Sequence, residues 1–198
     1  MKAYSLFEHH GYNSVLSKVI KKCAECGFEY HIDGNFKNLY DKLKNNNCIS
    51  EIEDFIQHSK SLASIADKIR MNHPKHPPIK GLFHALNQAK WFVHFTSYGI
   101  THVMIGALKL TSQRVPVRGT VSLSSNDAVA LPELSGHELE SPLFEVKTFL
   151  GSDTYSELPH QKLIVIDGLL AFKGSVNLSQ NAWRKIQKNH EDLEIITK

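Results

Sequence analysis

The stretch from His160 to Asn177, HQKLIVIDGLLAFKGSVN, constrains this chain more than any other. Leu163 to Ile166 is a short, continuous apolar run rich in β-branched residues, the pattern of a strand buried on both faces. Asp167-Gly168 separates it from a second apolar run, Leu169 to Phe172. Asp-Gly between two such runs is the strongest local signal for a hairpin with a two-residue turn. With that turn, Ile166 faces Leu169, Lys162 faces Lys173, and His160 faces Ser175, with Asn177 just beyond. Alternate residues share a face of a strand, so His160 and Lys162 point the same way. The spacing therefore gathers His160, Lys162, Ser175 and Asn177 at one end of one sheet.

Those groups suit phosphoester chemistry. A neutral imidazole is a nucleophile near neutral pH. An ammonium, an amide and a hydroxyl can hold phosphate oxygens and stabilise charge developing on them. The plain alternative is a buried hairpin with solvated polar ends. Any one of these residues alone favours that alternative; together, at this spacing, they do not.

The pattern H-x-K-x4-D-x6-G-S-x-N resembles the signature of the phospholipase D superfamily, with every named position matched. The resemblance implies that His160 attacks phosphorus and forms a phosphohistidine, that a second histidine from a second motif protonates the leaving group, and that Lys162 and Asn177 bind the phosphate. Asn189-His190-Glu191 is similar to the N-x-E of small members, which implies that Glu191 hydrogen-bonds and orients His160 as the third group of a triad does. Ser175 is then a supporting residue behind these. Asp167 reads as a turn and ion-pair residue rather than a proton carrier, which the hairpin reading suggests independently. His190 occupies the free position of N-x-E and receives no role.

The chain carries one copy of the motif, whereas the implied mechanism needs two histidines. Two-fold dimerisation supplies the pair by placing identical residues across the axis. The other route is a second motif in a longer chain, of which this sequence, ending just after its last expected strand, would be an excised domain. The leading expectation is a homodimeric phosphodiesterase, an endonuclease acting on DNA or RNA, that needs no cofactor and no metal for catalysis; the substrate rests on analogy with short single-motif nucleases. One alternative is hydrolysis of a phospholipid headgroup, which would favour an exposed apolar rim or amphipathic helix at the site mouth; none stands near the motif. The other is a non-catalytic nucleic-acid-binding module, whose expected mark is a broken motif.

Charge and composition limit the partners. The 198 residues carry a formal net charge of +3, which permits a phosphate-rich partner without requiring one. Lys162, Lys173, Arg184, Lys185 and Lys188 lie in or just after the motif, either as a basic rim for a phosphate backbone or as a solvated helix face. No run approaches the roughly 18 apolar residues of a membrane span, and the first residues lack the apolar segment of a secretory signal. No integral membrane association is expected, and a cytoplasmic location is the default.

Three cysteines, an odd count without an export signal, argue against a disulfide framework. Cys23-x-x-Cys26, with His31 and Cys48 downstream, fits a four-ligand zinc site, although the second pair is irregularly spaced. Cys23 also falls at helical spacing with Val15, Leu16, Val19 and Ile20, and this core reading is the favoured one.

The expected fold is α/β: a mixed β-sheet flanked by helices, as in a phospholipase D-like domain, with an N-terminal, mainly helical extension. The extension covers 1–72, a proline-marked linker 73–78 and the phosphodiesterase domain 79–198. Helices are expected over about 13–25, from Phe36 to Leu43, and to about Met71 behind a Ser50-x-x-Glu53 capping box, with a short strand over 28–32. Beyond His73–Pro78 the pattern gives a helix over 79–90, strand 91–96, helix 101–113 and strand 115–123, a right-handed crossover unit. A loop over 124–142, with at most one helical turn, leads to strand 143–150; loop 151–159 delivers His160; a helix capped by Ser179 runs to about Lys188, and strand 192–197 closes the core. Among the other histidines, His94 reads as buried within its strand, and His73, His76 and His137 as loop residues.

Overall fold

The computed structural model describes residues 19–32, 36–71, 77–123, 134, 143–150, 160–188 and 190–198. In chain order the elements are β1 (Val19–Lys22), β2 (Glu29–Ile32), α1 (Phe36–Asn45), α2 (Ile49–Arg70), α3 (Pro78–Gln88), β3 (Val93–Tyr98), α4 (His102–Ser112), β4 (Val117–Leu123), β5 (Phe144–Leu150), β6 (Leu163–Ile166), β7 (Leu170–Gly174), α5 (Gln180–Lys185), a 3-10 turn (Ile186–Lys188) and β8 (Leu193–Thr197). His73, His76 and His137 lie outside the described residues, as do most of the loops expected over 124–142 and 151–159.

Six strands form one mixed sheet in the order β5-β4-β3-β6-β7-β8. β3, β4 and β5 are parallel, whereas β3–β6, β6–β7 and β7–β8 are antiparallel. The short apolar run of β6 is buried at all four positions, as expected of a strand covered on both faces. The edge strand β8 instead alternates half-buried and exposed residues. β3, α4 and β4 make the crossover unit. α4 packs on β4 and β5, and α2 on β7 and β8, with α3 against both helices. Pro78 opens α3 at a position where its missing N–H costs nothing.

The first segment differs from its expectation. Val19–Lys22 is a strand paired with Glu29–Ile32, not the end of a helix over 13–25; residues 13–18 lie outside the described set. Gly27 explains the difference: at φ +73° it closes a turn in which its N–H donates to the Cys23 carbonyl and the Cys23 N–H to that of Phe28, each at 2.9 Å. Among the described residues the extension is thus a β-hairpin followed by two helices. Nor does the capping box form. Cys48 is the N-cap of α2, without a side-chain cap bond, so Ser50 already lies in the first turn. The buried apolar set runs unbroken from Tyr30, Leu39 and Leu43 through Leu62 and Ile69 to Phe92, Ile166 and Leu170.

The motif hairpin turns at Asp167 and Gly168, both at positive φ (54° and 66°). Leu169 is added after them: its N–H returns to the Ile166 carbonyl at 3.0 Å, but Leu170 is the residue that pairs with Ile166. The register therefore shifts by one from the two-residue expectation. Lys173 pairs with Leu163, not Lys162, and the Gly174 N–H donates to the Lys162 carbonyl at 3.3 Å. Lys173 consequently lies on the opposite face from Lys162 and is exposed, 3.8 Å from Glu194.

Asp167 is fully buried and its carboxylate is saturated. Oδ1 accepts the backbone N–H groups of Trp91 (2.8 Å) and Phe92 (2.9 Å); Oδ2 accepts that of Lys90 (2.9 Å) and Nε2–H of His58 (2.5 Å). His58, in α2, packs edge-on to Trp91 at 5.3 Å, and Trp91 stacks on Phe55 at 5.6 Å. One side chain thus joins the hairpin turn, the entry to β3 and α2. Removing it leaves buried donors without an acceptor, so Asp167→Ala should lower stability by about 3–5 kcal/mol, with Asp167→Asn in between. Urea unfolding checks this; a loss below about 1 kcal/mol for Asp167→Ala would contradict the anchoring role.

Candidate active site

β6 and β7 bring the motif to the end of the sheet where the parallel strands β3 and β4 finish. Ligands of open α/β sheets bind at such carboxyl ends. β6 runs antiparallel to β3, with Thr96 opposite Leu163, so His160 lies beyond the last residues of β3. There its exposed imidazole packs on the Tyr98 ring, with centroids 4.7 Å apart and a 49° tilt. Lys162, only 8% exposed, sends its ammonium to the same place. Nζ lies 2.8 Å from His160 Nδ1, 3.3 Å from Nε2, and 2.7 Å from the His160 carbonyl oxygen, to which it donates. It also stands 5.7 Å over the Tyr98 ring, a cation–π contact.

The other half of the motif is fixed to the same strand end. The Ser97 hydroxyl donates to the Gly99 carbonyl (2.7 Å) and accepts the Leu178 N–H (2.9 Å). Thr101 N–H donates to the Leu178 carbonyl at 3.0 Å, and Ile100 and Leu178 form an isolated parallel bridge. These bonds hold Asn177 beside β3. Its side-chain Oδ1 is buried without a hydrogen-bond partner among the described residues. A buried amide with spare capacity at a sheet end can serve a ligand, and rotation of the amide by 180° would offer a donor there. Ser179 caps α5, accepting the Ala182 N–H at 3.2 Å, and Trp183 packs edge-on to Phe172 at 5.5 Å.

Ser175 and Glu191 pair with each other. The Ser175 hydroxyl donates to Glu191 Oε2 (2.6 Å) and accepts the Asp192 N–H (2.9 Å). In the single chain, then, Glu191 holds Ser175 and not His160, departing from the orienting bond expected of it. The carboxylate is nonetheless near enough to Lys162 to favour its charged form. Gly174 is required where it stands: a Cβ would meet the Asp192 carbonyl oxygen at 2.1 Å, so only glycine lets β7 pass the start of β8. Asp167 lies at the far end of β6, about 20 Å from His160 at ~3.3 Å per residue. It cannot touch a phosphate held by His160, and acts by fixing the hairpin. His94 is buried, its pKa held down to about 4 by burial and then by Arg118, and is a neutral core residue.

Two residues escaped the motif, Ser97 and Tyr98, which seat Asn177 and His160. Their signal was position, at the last residues of a parallel strand. Asn189 lies outside the described residues.

Partial burial and then the Lys162 charge both lower the pKa of His160. Each disfavours the imidazolium, so the ring is neutral at pH 7 and gains its proton only below the ordinary value near 6.5. Burial lowers the Lys162 pKa, and Glu191 opposes this. Removing the lysine charge should therefore let His160 protonate at higher pH. NMR titration of the His160 ring should give a midpoint below about 6.5 in the native chain and a higher one in Lys162→Gln. A midpoint unmoved by the substitution would contradict the pairing.

The sequence profile of the family described as cardiolipin synthase, PLD-like domain, matches residues 82–198. Among solved structures, Nuc from Salmonella typhimurium, a phospholipase D family member, is similar at 20% identity and TM-score 0.41, over 59% of this chain and 73% of that one. NucT from Helicobacter pylori gives 20% identity and TM-score 0.41, over 60% and 75%. TrmBL2, an archaeal chromatin protein with a novel mode of DNA binding, gives 13% identity and TM-score 0.36, over 98% and 71%. No curated protein sequence matches the chain. At TM-scores below 0.5, these superpositions do not bear on what the chain does.

Proposed function

The chain belongs to the phospholipase D-like domain family, and we propose that it is a phosphodiesterase that cleaves nucleic acid at an active site shared by two copies of the chain. The observation that carries the reading is the contact between the buried Lys162 ammonium and the exposed His160 ring at the carboxyl end of β3. A neutral ring and a fixed cation side by side are what in-line attack on a phosphodiester requires. Lys162 now caps a lone pair of the ring. A bound phosphate draws the ammonium to its own oxygens and frees that lone pair.

His160 then attacks phosphorus: an N–P bond forms, the P–O bond to the leaving group breaks, and the leaving oxygen needs a proton. A ring held neutral to attack cannot also supply that proton, so the second imidazole is the partner subunit's His160, which takes up a proton when the phosphate anion binds between the two copies and offsets the Lys162 charge that keeps the free ring neutral. Water next attacks the phosphohistidine, giving its proton to that second ring as the N–P bond breaks. Lys162 and Asn177 of both copies hold the non-bridging oxygens. Glu191, free to leave Ser175 for the His160 ring, orients it once the site is assembled. None of these steps uses a metal or cofactor.

Nucleic acid is favoured over a lipid headgroup by charge. Arg184, Lys185 and Lys188 are exposed on α5 and the 3-10 turn after it, a helix that begins just past Asn177. Among the described residues no helix is long and apolar enough to cross a membrane. Purified protein should cleave labelled DNA or RNA and leave phospholipid vesicles intact; cleavage of the vesicles alone would overturn the substrate. His160→Asn should lower kcat at least ~10³-fold with an unchanged circular dichroism spectrum. Activity within about tenfold of the parent, 1.4 kcal/mol of barrier, or an active protein that light scattering finds monomeric, would refute the shared nucleophile.

A further inference from the structure

We propose that Cys23, Cys26 and Cys48 bind one zinc ion that ties the N-terminal hairpin to the start of α2. The three sulfur atoms all lie within 4.8 Å of one another, and those of Cys26 and Cys48 are 3.2 Å apart. Zinc–sulfur bonds of about 2.3 Å in a tetrahedral site place sulfurs about 3.8 Å apart. Cys23 and Cys26 sit on the β1–β2 turn, and Cys48, from 22 residues further on, stands at the N-cap of α2. Two separate pieces of chain thus converge on one point with three soft donors. The Cys48 thiol reaches the Asn46 carbonyl only at 3.7 Å.

His31, the fourth ligand expected from sequence, does not join them. It pairs with Ile20 on β2 and points outward, alternating with the buried Tyr30 and Ile32. Glu51, on the first turn of α2, takes the Tyr30 hydroxyl at 2.5 Å. In the proposed site the fourth ligand is water or another donor, taken on the side of exposed Cys26.

The Cys26 sulfur is hydrogen-bonded by the Phe28 backbone amide and shares a hydrogen bond with the Cys48 sulfur. Binding exchanges three thiol protons, released to solvent, for one zinc held by three thiolates. A disulfide would use two of the sulfurs and leave the third without a partner. The function of the ion is structural: α2 carries His58, which bonds Asp167, so the clamp stiffens the support beneath the motif hairpin. The inference does not depend on the phosphodiesterase reading, because zinc content is measured without any substrate.

The full chain, purified under reducing conditions without metal-chelate chromatography, should contain about one zinc per chain by elemental mass spectrometry. Cys26→Ser, at an exposed position, and Cys48→Ser should each lower zinc affinity at least about tenfold, with circular dichroism confirming that Cys26→Ser stays folded. Cobalt(II) in place of zinc should show thiolate-to-metal charge transfer that weakens in Cys26→Ser. Zinc below about a tenth of an equivalent after reconstitution, zinc binding untouched by Cys26→Ser, or a Cys26–Cys48 disulfide in the reduced preparation would overturn the site.

Discussion

The carboxylate of Asp167 holds three parts of the molecule in register. It closes the hairpin turn, accepts three consecutive backbone N–H groups at the entry to β3, and receives His58 from α2. Burying a carboxylate is expensive unless each lone pair is used, and here four donors use them. The cost is offset by position: with the turn fixed against β3, β6 cannot slide, and His160 and Lys162 emerge together at the opposite end of the strand. A slip of one residue would turn both to the other face. The aspartate of the motif therefore acts on the site through the length of a strand, without reaching the reacting atoms.

At the other end electrostatics replaces packing. Lys162 is almost buried and His160 exposed, yet they touch. The pair suits an anion better than it suits itself: the ammonium lowers the affinity of the ring for a proton, and both lose solvation until a phosphate arrives. Ser175 and Glu191 form a second, self-contained pair close by. On the proposed reading, each arrangement is half of a site that a second copy completes.

Much of this was legible in the sequence because the motif hairpin is locally encoded. Asp-Gly announces the turn, the β-branched run the buried strand, and the crossover unit follows from alternating patterns. What escaped was non-local or depended on one residue. The hairpin register failed because Leu169 adds a residue after the turn, which no spacing rule distinguishes from a two-residue loop. The helix expected through Val19 failed because Gly27, in a left-handed conformation, makes a hairpin out of residues that also have helical spacing. His58 could not be read at all, since its partner lies 109 residues away. Tyr98 and Ser97 were invisible as motif residues and legible only once the strand end they occupy was known.

The central claim is that phosphorus is attacked by His160 and not by water. Attack by a protein nucleophile followed by hydrolysis is two in-line displacements, each inverting phosphorus, whereas direct attack by water is one. A substrate chiral at phosphorus, cleaved by the native protein, should therefore give product with net retention of configuration. Net inversion would mean a single displacement and would contradict the phosphohistidine account.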